Sequence, residues 1–430
     1  MKFKFTLLLM GVLWSVLSFA QDKSMLDVET ELVTNSTEPT APLSPPFPVV
    51  NYKFGKGLEI MAPDSSGKMK FNIRFQSLLN TQRSLDGGES WETSFLIRRA
   101  RMKFSGWALD PKLSYKIELA LSNRDLGSKH DFGETNEAPK IILDAVLKWK
   151  AIKNWTVWMG QTKLPGNRER VISSGSLQMV DRSLVNSVFN IDREMGFQLH
   201  GKYNVGSGVV KPILSWSLGE GRNITQTNIG GFHYVARMEW LPMGEFASKG
   251  DYVGADLKRE ETPKLALGGA YSLNKGASRQ KQSGRFLRDV EGNYLENDLQ
   301  TVFGDMMFKY KGFSLMGEYA WKRMGDKEVR DQEDMRLNIL DAEGSSYYTG
   351  NGYNIQTGYL LAKDYEVSAR YTNVVPNSEA SFKGLKEYTV GLSKYFVGHS
   401  LKVQTDVSLL DEANATSNDL RYRFQVEFQF

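Results

Sequence analysis

Apolar and polar residues alternate with a period of two along most of this chain. In LRYRFQVEFQF, residues 420–430, Leu420, Tyr422, Phe424, Val426, Phe428 and Phe430 share one parity, and Arg421, Arg423, Gln425, Glu427 and Gln429 share the other. Successive side chains of a strand point to opposite faces, so the pattern predicts a strand with an oily face and a polar face. From residue 70 onward it recurs in sixteen units, opening with 70–80, 95–107, 113–122, 140–150 and 154–163 and closing with 386–397, 399–410 and 420–430. The links between units alternate in length. Short ones fall at Asp110-Pro111, Ile152-Lys153, Val205-Gly206, Lys311-Gly312, Lys363-Asp364 and Gly398-His399; long ones span 81–94, 123–139, 164–192, 274–298 and 324–351. One link breaks the alternation: 242–263 stands where a short turn is due, so it is either an insertion or a missed hairpin. Residues 57–75 read as an entry hairpin around Asp64-Ser65-Ser66-Gly67.

An oily strand face must meet either a second sheet or lipid. A tilted strand of about 9–11 residues crosses a bilayer, and bacterial single-chain barrels have even strand numbers with short periplasmic turns and long external loops. Tyr115, Trp149, Tyr203, Trp240, Tyr310, Tyr319, Trp321, Tyr359, Tyr365 and Tyr371 share the parity of their strand's oily face, many of them at strand ends, where an interfacial girdle belongs. The terminal Phe430 on an amphipathic strand resembles the sorting signal of outer-membrane barrels. The expected fold is all-β: a 16-stranded antiparallel transmembrane β-barrel with a long inserted third external loop, in the outer membrane of a Gram-negative bacterium.

Three segments follow. Residues 1–20 carry Lys2 and Lys4, an apolar core and Ser18-Phe19-Ala20, which fits a secretory signal peptide. Residues 21–56 contain Pro39, Pro42, Pro45, Pro46 and Pro48 and read as a proline-rich periplasmic segment; residues 57–430 are assigned to the barrel. No later run is apolar for long enough to form a spanning helix, and only helices and closed barrels satisfy every backbone group in lipid. The absence of cysteine removes disulfides and thiolate chemistry, and a net charge of +4 is too small to indicate a nucleic-acid partner.

Lipid outside places the polar parity around water. The stretch FLIRRARMKFSGW, residues 95–107, then turns Arg99, Arg101 and Lys103 inward, while Arg98 breaks parity and would face lipid or snorkel to an interface. Arg74, Lys116, Lys148, Lys163, Arg237, Arg370, Arg421 and Arg423 join the inward set, opposed by Glu118, Asp144, Glu194, Glu239, Asp305, Glu318, Glu366, Asp406 and Glu427. Carboxylates on neighbouring strands can neutralise some of these cations, but over the whole inward parity seventeen basic residues stand against nine acidic ones. A positive, low-dielectric-walled channel concentrates anions. The 164–192 link brings Arg168, Arg170 and Arg182, with Arg193 just after it. Its apolar residues Val171, Ile172, Leu177, Met179, Leu184, Val188 and Phe189 favour folding into the lumen as a constriction loop over lying in water.

Catalysis is the weakest reading. Of four histidines, His130 and His399 fall in links and His200 and His233 face inward, with no G-x-S-x-G or H-E-x-x-H around them. No ligand spacing suggests a metal, and no cofactor is expected.

The series FLIRRARMKFSGWALDPKLSYKIEL, ILDAVLKW, VWMGQTKLPGNRE, VDRSLVNSVF and DREMGFQLHG resembles the phosphate-selective porin O and P family over roughly residues 51–430. The resemblance implies a sixteen-stranded barrel assembled as a homotrimer, passage of small anions, and a third external loop that narrows the path. It carries onto Arg98, Arg99 and Arg101, onto Gln161 and Lys163, and onto Arg182 and Arg193. The expected function is passive diffusion of small anions, phosphate or related, across the outer membrane. The alternatives are a general or sugar- or peptide-permeable porin and, last, an outer-membrane hydrolase.

Overall fold

A computed structural model describes residues 47–86, 90–126, 133–225, 229–281, 284–325, 341, 343–378 and 380–430. The expected signal peptide, and the proline-rich segment as far as residue 46, lie outside the described residues, as does His130.

The alternating units form strands that pair antiparallel with their sequence neighbours. Within the described residues there are nineteen: β1 (Val49–Lys53), β2 (Gly57–Met61), β3 (Gly67–Ser84), β4 (Glu92–Ala108), β5 (Asp110–Ala120), β6 (Ile142–Ile152), β7 (Trp155–Lys163), β8 (Arg193–Gly201), β9 (Tyr203–Val205), β10 (Gly208–Ser217), β11 (His233–Leu241), β12 (Lys264–Ala277), β13 (Asn297–Tyr310), β14 (Phe313–Met324), β15 (Gly350–Leu360), β16 (Tyr365–Pro376), β17 (Leu385–Tyr395), β18 (Leu401–Glu412) and β19 (Asp419–Gln429). β8 and β9 both pair with β10 and make one stave interrupted at Lys202. β19 pairs with β3, from Asp419↔Ser84 to Gln429↔Arg74, and this register closes the sheet. The result is a closed barrel of sixteen staves. β2 pairs with the first residues of β3, turning at the expected Asp64–Gly67 corner, and β1 pairs with β2.

Burial is inverted relative to a soluble sandwich. On β11, His233, Val235, Arg237, Glu239 and Leu241 are buried, while Tyr234, Met238 and Trp240 are exposed. The oily parity points outward, as a lipid-facing surface requires. Tyr353, Tyr371 and Tyr388 form an outward row with ring centroids 5.7 and 4.8 Å apart. β3 and β4 run to 18 and 17 residues, longer than the ten-residue units expected, because their pairing continues beyond the common length.

The short links are tight. Lys311 (φ 46°) and Gly312 (φ 89°) are both left-handed, as a two-residue hairpin connection matching the strand twist demands. The 242–263 link is an insertion and not a missed hairpin: β11 pairs directly with β12, from His233↔Asn274 to Trp240↔Leu267, and the link holds only the 3-10 turn Ala247–Tyr252.

Candidate functional site

The double-arginine strand is built around a bulge. Gln76 opposes Arg99 and Ser77 opposes Ile97, so Arg98 is the extra residue. A bulge resets the inside–outside alternation. Arg98 therefore does not face lipid. Its Nε and Nη2 donate to one oxygen of Asp181 (3.0 and 2.7 Å), and Arg99 Nη2 donates to the other (2.9 Å). Burial works against the Asp181 carboxylate, but Arg99 and Arg98 outweigh it and hold its pKa well below the ordinary carboxylate value. Arg101 meets Asp125 (3.0 Å) and Glu118 (3.2 Å); Arg74 meets Glu427 (3.1 Å). Both Arg74 and Arg101 also donate to Ser174 Oγ.

Asp181 and Ser174 belong to the 164–192 link, which holds two short helices, α1 (Arg168–Val171) and α2 (Leu184–Phe189). Leu164, Val185, Phe189 and Ile191 pack on Val235, Ala270, Phe303, Ala320 and Val374 of the inner wall. Phe303, an apolar residue on the polar parity, is there to receive the link. Arg168 donates to Asp305 (2.8 Å) and to the Asp251 carbonyl (2.9 Å). Arg237 bridges Asp305 (2.7 Å) and Glu239 (2.8 Å). Arg170 pairs with Asp192. Arg182 donates to the carbonyls of Glu169 (2.8 Å) and Ile172 (2.7 Å). Burial, with Arg170 and Arg99 close by, pushes the Arg182 pKa well down. Lys163 Nζ donates to the carbonyls of Arg170, Val171 and Ile172, oxygens that the end of α1 leaves without helical partners.

Arg193, grouped with the loop cations from sequence, is instead the first residue of β8 and part of the wall, 3.1 Å from Asp144. Arg370 and Arg421 share Glu387, and Arg423 forks onto Asp406 at 2.7 and 2.8 Å. Lys116 lies 2.8 Å from both Glu118 and Asp144. Most of the expected inward cations thus have carboxylate or carbonyl partners. Among the described residues, Lys103, Lys148, Lys150 and Lys249 have no carboxylate within ion-pair distance, nor does Lys322, buried on the far side of the lumen on β14.

Lys150 and Lys249 line the open side, and Lys148 reaches it through Trp158. A cavity of about 860 Å³ lies at the short-link end, lined by Lys150, Trp158, His200, Lys202, Lys211 and Ile213 of the wall, Val171 and Ser173 of the 164–192 link, and Glu245, Lys249 and Tyr252 of the 242–263 link. Trp158 is the inward residue the sequence reading missed. Lys148 Nζ sits 3.5 Å from its ring centroid, and the His200 ring stacks on it at 3.9 Å. Both contacts are too close to share one face, so both faces of Trp158 are covered. Taking Lys163 as the parity marker of β7 puts Trp158 outside; Lys163 is the strand's last residue and turns in to reach the loop. Thr156, two residues earlier and lining the same cavity, is the better marker. His233 is buried with Nε2 2.7 Å from Ser272 Oγ, and His399 Nε2 is 3.0 Å from the Gly254 carbonyl; burial beside Lys402 keeps His399 neutral.

The family described as phosphate-selective porin O and P matches residues 69–430. An uncharacterized protein of Aquifex aeolicus is 24% identical over 363 residues, covering 79% of this chain and 81% of that one. Among solved structures, Salmonella typhi OmpF in complex with daunomycin aligns over 85% of this chain and 98% of its own (15% identity, TM-score 0.53). In-vitro folded OmpT of Vibrio cholerae, in its trimer form, aligns over 85% of this chain and 100% of its own (12% identity, TM-score 0.50).

Proposed function

This chain belongs to the phosphate-selective porin O and P family and is an outer-membrane porin, and from that premise we propose that it passes small anions by passive diffusion. The single observation that carries the reading is where the uncompensated lysines stand. Lys148 and Lys150 stand two residues apart on the inner face of β6, Lys249 of the periplasmic link lines the same cavity as Lys150, and Lys103 lies on β4. The paired arginines hold the wall and loop together; the unpaired lysines are left to act on the solute. Fixed positive charge beside a low-dielectric wall raises anion concentration along the path. In this reading the 164–192 loop narrows the lumen, with Arg168, Arg170 and Arg182 fixing its shape and Lys163 capping its first helix. Phosphate or a related oxyanion is the natural solute of such a site, and three copies of the chain form the working assembly, as in the trimer form of the Vibrio cholerae structure.

A sugar-permeable pore has less support. A sugar track needs a run of aromatic faces open to the lumen; both faces of Trp158 are occupied, which leaves Tyr252 alone among the Trp and Tyr rings of the cavity lining. The test is the zero-current potential of the purified porin in a planar bilayer under a KCl gradient. Anion selectivity is expected, and a cation-selective sign overturns the proposal.

A further inference from the structure

The 242–263 link breaks the rule of short periplasmic turns, and it does not hang free. It crosses the periplasmic mouth to three other turns. Arg259 donates to the carbonyls of Leu360 (3.0 Å) and Leu361 (2.6 Å). The Gly312 amide donates to Asp256 (2.7 Å), and His399 meets the Gly254 carbonyl (3.0 Å). Lys309, on the inner face of β13, donates to the carbonyls of Val253 (2.8 Å) and Ala255. Ala255 and Leu257 pack with Leu360 and Tyr395.

From this anchorage the link reaches the long loop that enters from the opposite mouth. The Gly254 amide donates to the Ser176 carbonyl (2.7 Å), and Arg168 donates to the Asp251 carbonyl (2.9 Å). Phe246 shares an apolar cluster with Ile172 and Leu177 of the loop. The two backbones come so close that a Cβ on Gly254 would stand 2.5 Å from the Gln178 amide nitrogen and 2.8 Å from the Ser176 carbonyl oxygen. Above this junction, Gln178 bonds to Ser314 (2.8 Å), Gln356 (2.7 Å) and Glu366 (2.6 Å), and its carbonyl accepts from Gln404 (2.7 Å). At the level of Gln178 these contacts occupy the β14–β18 side of the lumen, whereas the 860 Å³ cavity lies on the β6–β11 side.

We infer that the 242–263 link is a strap that seats the constriction loop from the periplasmic side, seals the β14–β18 side of the lumen and confines the solute path to the β6–β11 side. Ile172 and Leu177 of the loop and Phe246 of the strap complete one apolar cluster with Val209, Leu241, Ala266, Met307 and Met316 of the wall, so loss of either element would expose part of it. The loop's ion pairs hold its external half. Its tip at Ser176–Gln178 is held jointly by the strap, through the Gly254 amide, and by the wall, where Lys402 donates to the Leu177 carbonyl (2.8 Å). The inference rests on the chain being a porin, and not on which ion it prefers.

The test is single-channel conductance of the full-length porin carrying Gly254→Val, which forces a side chain between the two backbones. Widening of the path is expected to raise conductance by about twofold, with added open-channel flicker. A folded variant, judged by heat-modifiable migration, with wild-type conductance and noise overturns the inference. Should Gly254→Val fail to fold, Lys309→Met decides on the same readout, because it releases the Val253 and Ala255 carbonyls without adding bulk at the junction. Wild-type protein that forms no channel would count against the porin reading; channels indifferent to both variants sink the strap alone.

Discussion

Arg168, wholly buried between Asp305 and the Asp251 carbonyl, represents what most inward charge does in this barrel. An arginine in such a place is held by its partners, and removing one partner from a buried pair costs about 3–5 kcal/mol because the other charge is left uncompensated. Carboxylates here differ in sign according to what surrounds them. Asp181 and Asp192 are buried, but the arginines beside them outweigh burial, so their pKa values fall. Their stabilisation is fully present above the ordinary carboxylate value and is lost as the pH falls from there through their lowered folded values, so the loop clamp persists at neutral pH. Glu220, in the β10–β11 link, is opposite. Burial pushes its pKa from 4.5 up to about 7, opposed by the Ile229 amide at 3.1 Å and reinforced by the Glu194 carboxylate nearby. The protonated form fits the fold, so its contribution is complete below the unfolded value and is lost as the pH rises through the folded one. Hydrogen-exchange protection of residues 218–225 is expected to fall as the pH is raised from about 5 to about 8. Glu220→Gln should flatten that dependence; a wild-type profile already flat after correction for intrinsic rates would refute the assignment.

Arg98 gives the lesson of the element scale. As the bulged residue between two regular stretches of the β3–β4 pairing, it can be deleted without disturbing any other register partner. Deletion of Arg98 is expected to leave a folded, heat-modifiable barrel while removing one of the two arginines on Asp181. A hydrogen bond to a charged group contributes about 1.5–3 kcal/mol, so the loop should open more often and tryptic cleavage after Arg182 should accelerate at least several-fold. A barrel that fails to form would mean that the bulge is needed for closure. Strand number, the alternation of link lengths and the outward oily parity were legible in the sequence because each depends on local period. The Arg98 bulge was not, since its cause is the partner strand and the Asp181 carboxylate eighty-three residues away. Trp158 was hidden for a related reason: the end of β7 turns Lys163 toward the loop, and a parity taken from that end misplaces the middle of the strand. The 242–263 insertion was visible as an anomaly, but its purpose depends on Gly254 meeting Ser176 across the lumen.

For the whole molecule, a count of inward cations overstates the field that a solute meets. Arg74, Arg99, Arg101, Arg193, Arg237, Arg370, Arg421 and Arg423 are matched by carboxylates, whereas Lys150 and Lys249 line the open side, and Lys148 stands against Trp158 in its wall, without such partners. Two kinds of charge reversal should therefore part company. Lys148→Glu is expected to lower the chloride-to-potassium permeability ratio several-fold in a barrel that still folds. Arg423→Glu, which sets two carboxylates face to face at Asp406, should instead appear as lost thermal stability, on the scale of about 3–5 kcal/mol for a broken buried pair. The lysine field should also be screened. The Debye length is about 10 Å at about 0.1 M salt and about 3 Å at about 1 M, so selectivity set by fixed charges around an open path must fade between those conditions. Selectivity set by direct coordination of a dehydrated anion would not fade, because contact distances are shorter than either length. Reversal potentials measured at both ionic strengths distinguish the two mechanisms. The lysine arrangement predicts the fading one, and selectivity undiminished at high salt would shift the burden from the screened field of the open lysines to direct coordination of the anion.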